Sequence, residues 1–157
     1  MHYLLKSLAL LLLLTTACQD GGIIEPTNDG RLIFGTVGGF IPVTYQVKGN
    51  QLLRLQGFAD PQSIGEIVDD PNRWEIVGNS AATGEAIQLA EDFPRFDFFR
   101  TPRSLACPGA ASDGTCSLVG WVSPEGGTLN WVHYEGDNNQ LREYVGRAQD
   151  LVESLWQ

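Results

Sequence analysis

Residues 41–56 read IPVTYQVKGNQLLRLQ. In an extended chain Val43, Tyr45 and Val47 fall on one side, and Thr44, Gln46 and Lys48 on the other. Gly49-Asn50 follows, a pair suited to the positive φ angles of a two-residue hairpin turn, and Gln51–Gln56 returns as the partner strand. Pro42 has no amide proton to donate, so the first strand of this hairpin is expected at a sheet edge or beside a bulge. Local hairpins favour antiparallel pairing, and this one sets the fold class.

Outward from the hairpin, Leu32–Val37 reads as a strand broken by Gly38-Gly39. The Gly-rich run Gly35–Phe40 leads into another strand and not a helix, so it reads as a turn or bulge and not as a dinucleotide-binding loop. Ile64–Val68 is short enough to be strand or helix. Trp74–Val77 reads as a strand ended by Gly78-Asn79. Ser80–Phe93 reads as a short helix, with Ala86, Ile87, Leu89 and Ala90 clustered ahead of Pro94. Phe93, Phe96, Phe98 and Phe99 are expected to fill the core around that proline.

The last third carries a second hairpin. Leu118–Ser123 and Thr128–Glu135 flank Pro124-Glu125-Gly126-Gly127. Leu129, Trp131 and His133 share one face of its second strand. Asp137 or Asn138 then caps a helix to the C-terminus. Leu141, Tyr144, Val145, Ala148, Leu151, Val152, Leu155 and Trp156 recur there at three- and four-residue spacing as one apolar stripe. The expected fold is α+β, a mostly antiparallel sheet of six to seven strands packed against this C-terminal amphipathic helix, with a shorter helix in the middle.

The N-terminus gives an address. MHYLLKSLALLLLLTTAC places Lys6 before an apolar run, Leu8 to Leu14, and the small residues Thr15, Thr16 and Ala17 before Cys18. That is the pattern of a secretory signal peptide over residues 1–17, and the cysteine right after its exit makes it lipoprotein-like, although Thr15 stands where such signals usually carry Leu. The alternative is ordinary secretion with cleavage near Ala17. The apolar run is short of the ~20 residues that span a bilayer. Acylated Cys18 would place several chains in the bilayer, and two or more give stable anchoring. Gln19, in place of an Asp, leans toward the outer membrane. Residues 18–30 then form a lipidated cysteine and flexible tether, and 31–157 a single globular domain.

Removing 17 of the 157 residues leaves 140, enough for one packed core. The formal charge of −9 moves to about −10 with the loss of Lys6, which argues against a nucleic-acid partner and against binding anionic lipid through a basic patch. Lipidation of Cys18 leaves an even pair, Cys107 and Cys116, flanking the turn-rich PGAASDGT. A disulfide is expected in an oxidising envelope, with free thiols as the alternative. Two thiolates are half a zinc site, and His133 is the one histidine after residue 17, so no metal or other cofactor is expected.

No catalytic set emerges. Gly-x-Ser-x-Gly, His-Glu-x-x-His and P-loop patterns are absent from the sequence. His133 has no nucleophile nearby in sequence. The acid pairs Asp69-Asp70 and Glu91-Asp92 do not show two carboxylates facing across a sugar. Trp74, Trp121, Trp131 and His133 are the candidate binding residues, since exposed tryptophans stack on sugars or anchor protein partners. By strand alternation Trp121 and Trp131 are also candidates for cross-strand neighbours in the core.

Two stretches, LIFGTVGGFIPVTYQVKGNQLL over 32–53 and ACPGAASDGTCSLVGW over 106–121, with the following hairpin and helix, resemble a group of small, uncharacterised cell-envelope lipoproteins of Bacteroidetes-type bacteria. The resemblance implies an envelope lipoprotein and brings no catalytic residues. Members often carry extra cysteines in the first Gly-rich segment; this chain has none there, so a function tied to them does not carry over. The leading expectation is a non-enzymatic envelope module with a protein or glycan partner. A periplasmic protease inhibitor presenting the Cys107–Cys116 loop is the second, and a small hydrolase using His133 the third.

Overall fold

Leu32, Ile33 and Phe34 are all completely buried, which a strand achieves only when both faces of its sheet are covered. The computed structural model describes residues 30–39, 41–60, 63–94, 107, 114–124 and 138–156, and the backbone of 128–132. Its central strand is β1 (Arg31–Gly38). β2 (Thr44–Lys48), β3 (Gln51–Leu55) and β4 (Trp74–Ile76) meander away on one side, while β5 (Thr115–Val122) and β6 (Thr128–Val132) extend the other. The order is β4-β3-β2-β1-β5-β6, and every pair is antiparallel. The expected hairpin is there: Lys48 pairs with Gln51 across Gly49, which takes φ +59°.

Pro42 marks neither an edge strand nor a break in one. β2 lies inside the sheet between β1 and β3, and Pro42 precedes its first paired residue, Thr44. The ladder closes there irregularly. Thr36 N–H donates to the Val43 carbonyl at 2.8 Å, and Val43 N–H donates to the Thr36 hydroxyl at 3.2 Å. Beside this crossing Gly35 has no room for a side chain, since a Cβ would stand 2.0 Å from the Val43 carbonyl oxygen.

Two helices cover one face. α1 (Ile64–Ile67) lies on the opposite face, whereas α2 (Ser80–Glu91) and α3 (Asn139–Ser154) share the first. Asn79 caps α2 by accepting from the amides of Ala81 and Ala82, both at 3.1 Å, and Asn138 caps α3 by accepting from Gln140 and Leu141. The α3 stripe buries Leu141, Tyr144, Ala148, Leu151 and Val152 against β1, β5 and α2. α3 runs in the same direction as β1. Tyr144 near its start packs edge-on against Phe93, which stacks on Trp121 opposite Leu32, whereas Val152 near its end lies by Thr36 and Thr115.

The Tyr144 hydroxyl donates to the Leu89 carbonyl at 2.8 Å. That carbonyl belongs to the last turn of α2, where helix geometry leaves oxygens without an internal partner. Burial, the largest influence on this phenol, keeps it protonated well beyond the ordinary tyrosine range, so it remains a donor.

The second face is covered too. Ile33, Leu53, Leu55, Ile64, Val68, Trp74, Leu118 and Val122 form a separate cluster under α1 and the segment after it. Thr44 and Gln46, on the polar side of the β2 alternation, are therefore buried and not solvated. Polar contacts pin this layer. Arg31 donates to the Val68 carbonyl at 3.1 Å and pairs with Asp69 at 2.6 Å, and the Trp74 indole donates to the Ile67 carbonyl at 3.0 Å. The disulfide Cys107–Cys116 joins the same cluster, with the two Cα atoms 5.7 Å apart.

Candidate functional site

The sheet has two unlike ends. At the end where the chain enters, Gly30 lies under the Trp121 indole so closely that a Cβ would meet the ring nitrogen at 2.1 Å. Trp121 is 3% exposed, and its ring centroid is 4.8 Å from that of Phe93. At the far end, past the C-terminus of β1, Ile41, Phe58 and Trp156 stand 60%, 58% and 51% exposed. Ile41 follows the turn at Gly38 and Gly39, both at positive φ, and Phe58 follows Gly57 at φ +82°. Tight turns thus place apolar side chains just outside the paired strands, beyond reach of either core cluster.

Ile41 is shared by two grooves. On the helix side, Ile41, Val152 and Trp156 form the apolar wall of a space of about 500 Å³, with Thr36, Thr115, Gln149 and Glu153 completing it. On the other side, Ile41 and Phe58 border a space of about 420 Å³ that reaches Arg54 and Glu75, cross-strand partners on β3 and β4. Among the described residues, Glu153 is the one ionisable group lining the helix-side groove; its carboxylate accepts from the Gln149 amide at 3.3 Å. Buried Tyr45, next to the second groove, has its phenol pushed up by desolvation, with Arg54 pulling the other way.

A third groove, of about 300 Å³, runs between α2 and α3 past Glu85, Gln88, Arg147 and Asp150. Its Arg147 is engaged by Asp92 at 2.8 Å, and this hydrogen bond, reinforced by Gln88, holds the Asp92 carboxyl below the usual carboxylate range.

Among the described residues, those singled out by sequence do not gather here. Trp74 and Trp121 are core residues, one in each cluster, and their faces are not available for stacking on a ligand. In the β5–β6 register Trp131 pairs with Val119, while Trp121 pairs with Leu129, so the two tryptophans are offset by two positions and not directly opposite. His133, Cys18 with the signal segment, Phe96, Phe98, Phe99 and the side chain of Trp131 lie outside the described residues. Three of the four paired acids are held in structural contacts: Asp69 with Arg31, Asp70 capping the turn at Asn72, and Asp92 with Arg147. Among the described residues no three His, Cys, Asp or Glu side chains group as a metal site, and no helix is long and apolar enough to cross a membrane.

What sequence reasoning missed is the exposed trio. Trp156 continues the α3 stripe on paper, yet the helix ends at Ser154 and is capped at Leu155, so the indole leaves the helical track. No family model, curated protein or solved structure matches the chain.

Proposed function

We propose that the protein is a lipid-anchored, non-enzymatic binding module of the bacterial cell envelope, held at the outer membrane through acylated Cys18 and engaging an envelope protein or glycan with its far end. The signal pattern, the lipoprotein-like position of Cys18 and the resemblance to envelope lipoproteins support the anchor. The observation that carries the binding role is the exposure of Ile41, Phe58 and Trp156 together, at the end of the sheet opposite the chain's entry. Apolar side chains clustered beside grooves mark interaction surfaces more often than scattered ones do.

The test combines the intact mass of the mature protein with crosslinking in native membranes, using Cys18→Ala and Trp156→Ala versions. An acylated N-terminus and a specific crosslinked partner that Trp156→Ala loses would support both halves. An unmodified, freely released protein would overturn the anchor, and capture undiminished by Trp156→Ala would overturn the surface.

A second reading, a periplasmic protease inhibitor presenting the Cys107–Cys116 loop, draws on the disulfide. A loop closed in advance loses less ordering entropy on binding. Inhibition of a protease that survives reduction would sink it.

A further inference from the structure

The helix-side groove has an asymmetric chemistry. Among the described residues its wall is Ile41, Val152 and Trp156, and its one ionisable group is Glu153, which makes no ion pair with any of them. A carboxylate beside an apolar wall is complementary to an apolar side chain flanked by a cation. It repels phosphate-bearing ligands, as does the net charge of −9.

We infer that this groove docks a segment of an envelope protein that presents an aliphatic or aromatic side chain next to Lys or Arg. The apolar side chain lies against Ile41, Val152 and Trp156, and Glu153 meets the cation. The inference rests on the binding-module reading and names its partner chemistry. The exposed indole supplies contact area of the kind that dominates interfaces, and the carboxylate selects for the flanking charge.

The test uses the mature chain carrying Cys18→Ala, so its outcome does not depend on whether Cys18 is acylated. Amide and indole NMR shifts are followed during titration with blocked tetrapeptides, acetyl-KLLK-amide and acetyl-ELLE-amide. KLLK is expected to move Ile41, Val152, Glu153 and Trp156 and to bind about threefold to fivefold more tightly than ELLE, a margin that Glu153→Gln removes. Trp156→Ala is expected to abolish the shifts while leaving the melting curve intact. Equal binding of both peptides, shifts centred elsewhere or no shifts at all would overturn the inference. So would binding of phosphatidylcholine–phosphatidylglycerol vesicles through Trp156, or a dimer in sedimentation that Trp156→Ala dissolves. Failure of acylation with selective KLLK binding would remove the anchor and leave the groove standing.

Discussion

Trp121 and Trp156 sit at opposite ends of one domain and have opposite fates. Trp121 projects from β5, an inner strand with eight positions paired to β1, between a chain entry that leaves no room for a side chain and a ring from just past the end of α2. Trp156 lies two residues past the last residue of a helix, over a groove. The same side chain becomes core or surface according to whether backbone on both sides of it is paired. The entry end of the molecule is closed by packing, and the far end is left open.

The largest expected effect tests that contrast directly. Trp121→Ala should cost about 3–5 kcal/mol, because a buried indole leaves a cavity that its neighbours fill only in part. Trp156→Ala should stay within about 0.5 kcal/mol. Urea unfolding of both variants measures the difference, and similar losses would break the comparison.

Next comes the disulfide, which staples the open end, with Cys116 paired to Val37 close to the last residues of β1. Its sequence separation of 9 gives about 2–3 kcal/mol in the chain-entropy account. Reduction should lower the unfolding free energy by that amount and raise hydrogen exchange at Val37 and Thr115 before it does so at Leu32. Uniform loosening would show that the two ends are not independently held.

At the closed end, Tyr144→Phe removes the hydroxyl that serves the α2 terminus. A loss of about 1 kcal/mol is expected from a buried hydrogen bond of this kind, read by thermal unfolding, with the rings of Phe93 and Trp121 undisturbed in near-ultraviolet circular dichroism.

The smallest effect belongs to Asp92 and Arg147, which join the same two helices at the surface. Because the folded carboxyl titrates below its unfolded value, its contribution is present above the ordinary carboxylate range and is lost as pH falls through the lowered value. Asp92→Asn should lower the melting temperature slightly at neutral pH, and the gap to the wild type should close in acid.

Much of the fold was legible because its signals are local. Alternation gave β2, Gly49-Asn50 gave the turn, and the spacing from Leu141 to Val152 gave α3, with its cap narrowed to Asp137 or Asn138. The second layer was not legible. Thr44 and Gln46 alternate like solvent-facing residues, yet both are buried, and Gln46 reaches the Val68 carbonyl at 3.5 Å in the layer over that face. The grooves were unreadable for a related reason. Composition marks tryptophans as candidates without telling a paired strand, as for Trp74 and Trp121, from a residue beyond a cap, as for Trp156. The available clue was Phe58, an apolar residue just after a turn glycine; Ile41 shares the alternation of Val43, Tyr45 and Val47, and only the start of β2 at Thr44 leaves it outside the ladder.

The placement of β1 has a mechanical consequence. A pull on the N-terminus enters the domain at Arg31, in the strand bonded to β2 on one side and to β5 on the other. If the opposing load is applied at the far end, tension runs along the strand axis. The flanking hydrogen bonds are then loaded together in shear, and not peeled one after another as they would be in an outer strand such as β4. A load on the N-terminus would thus meet the strand best placed to resist being drawn out.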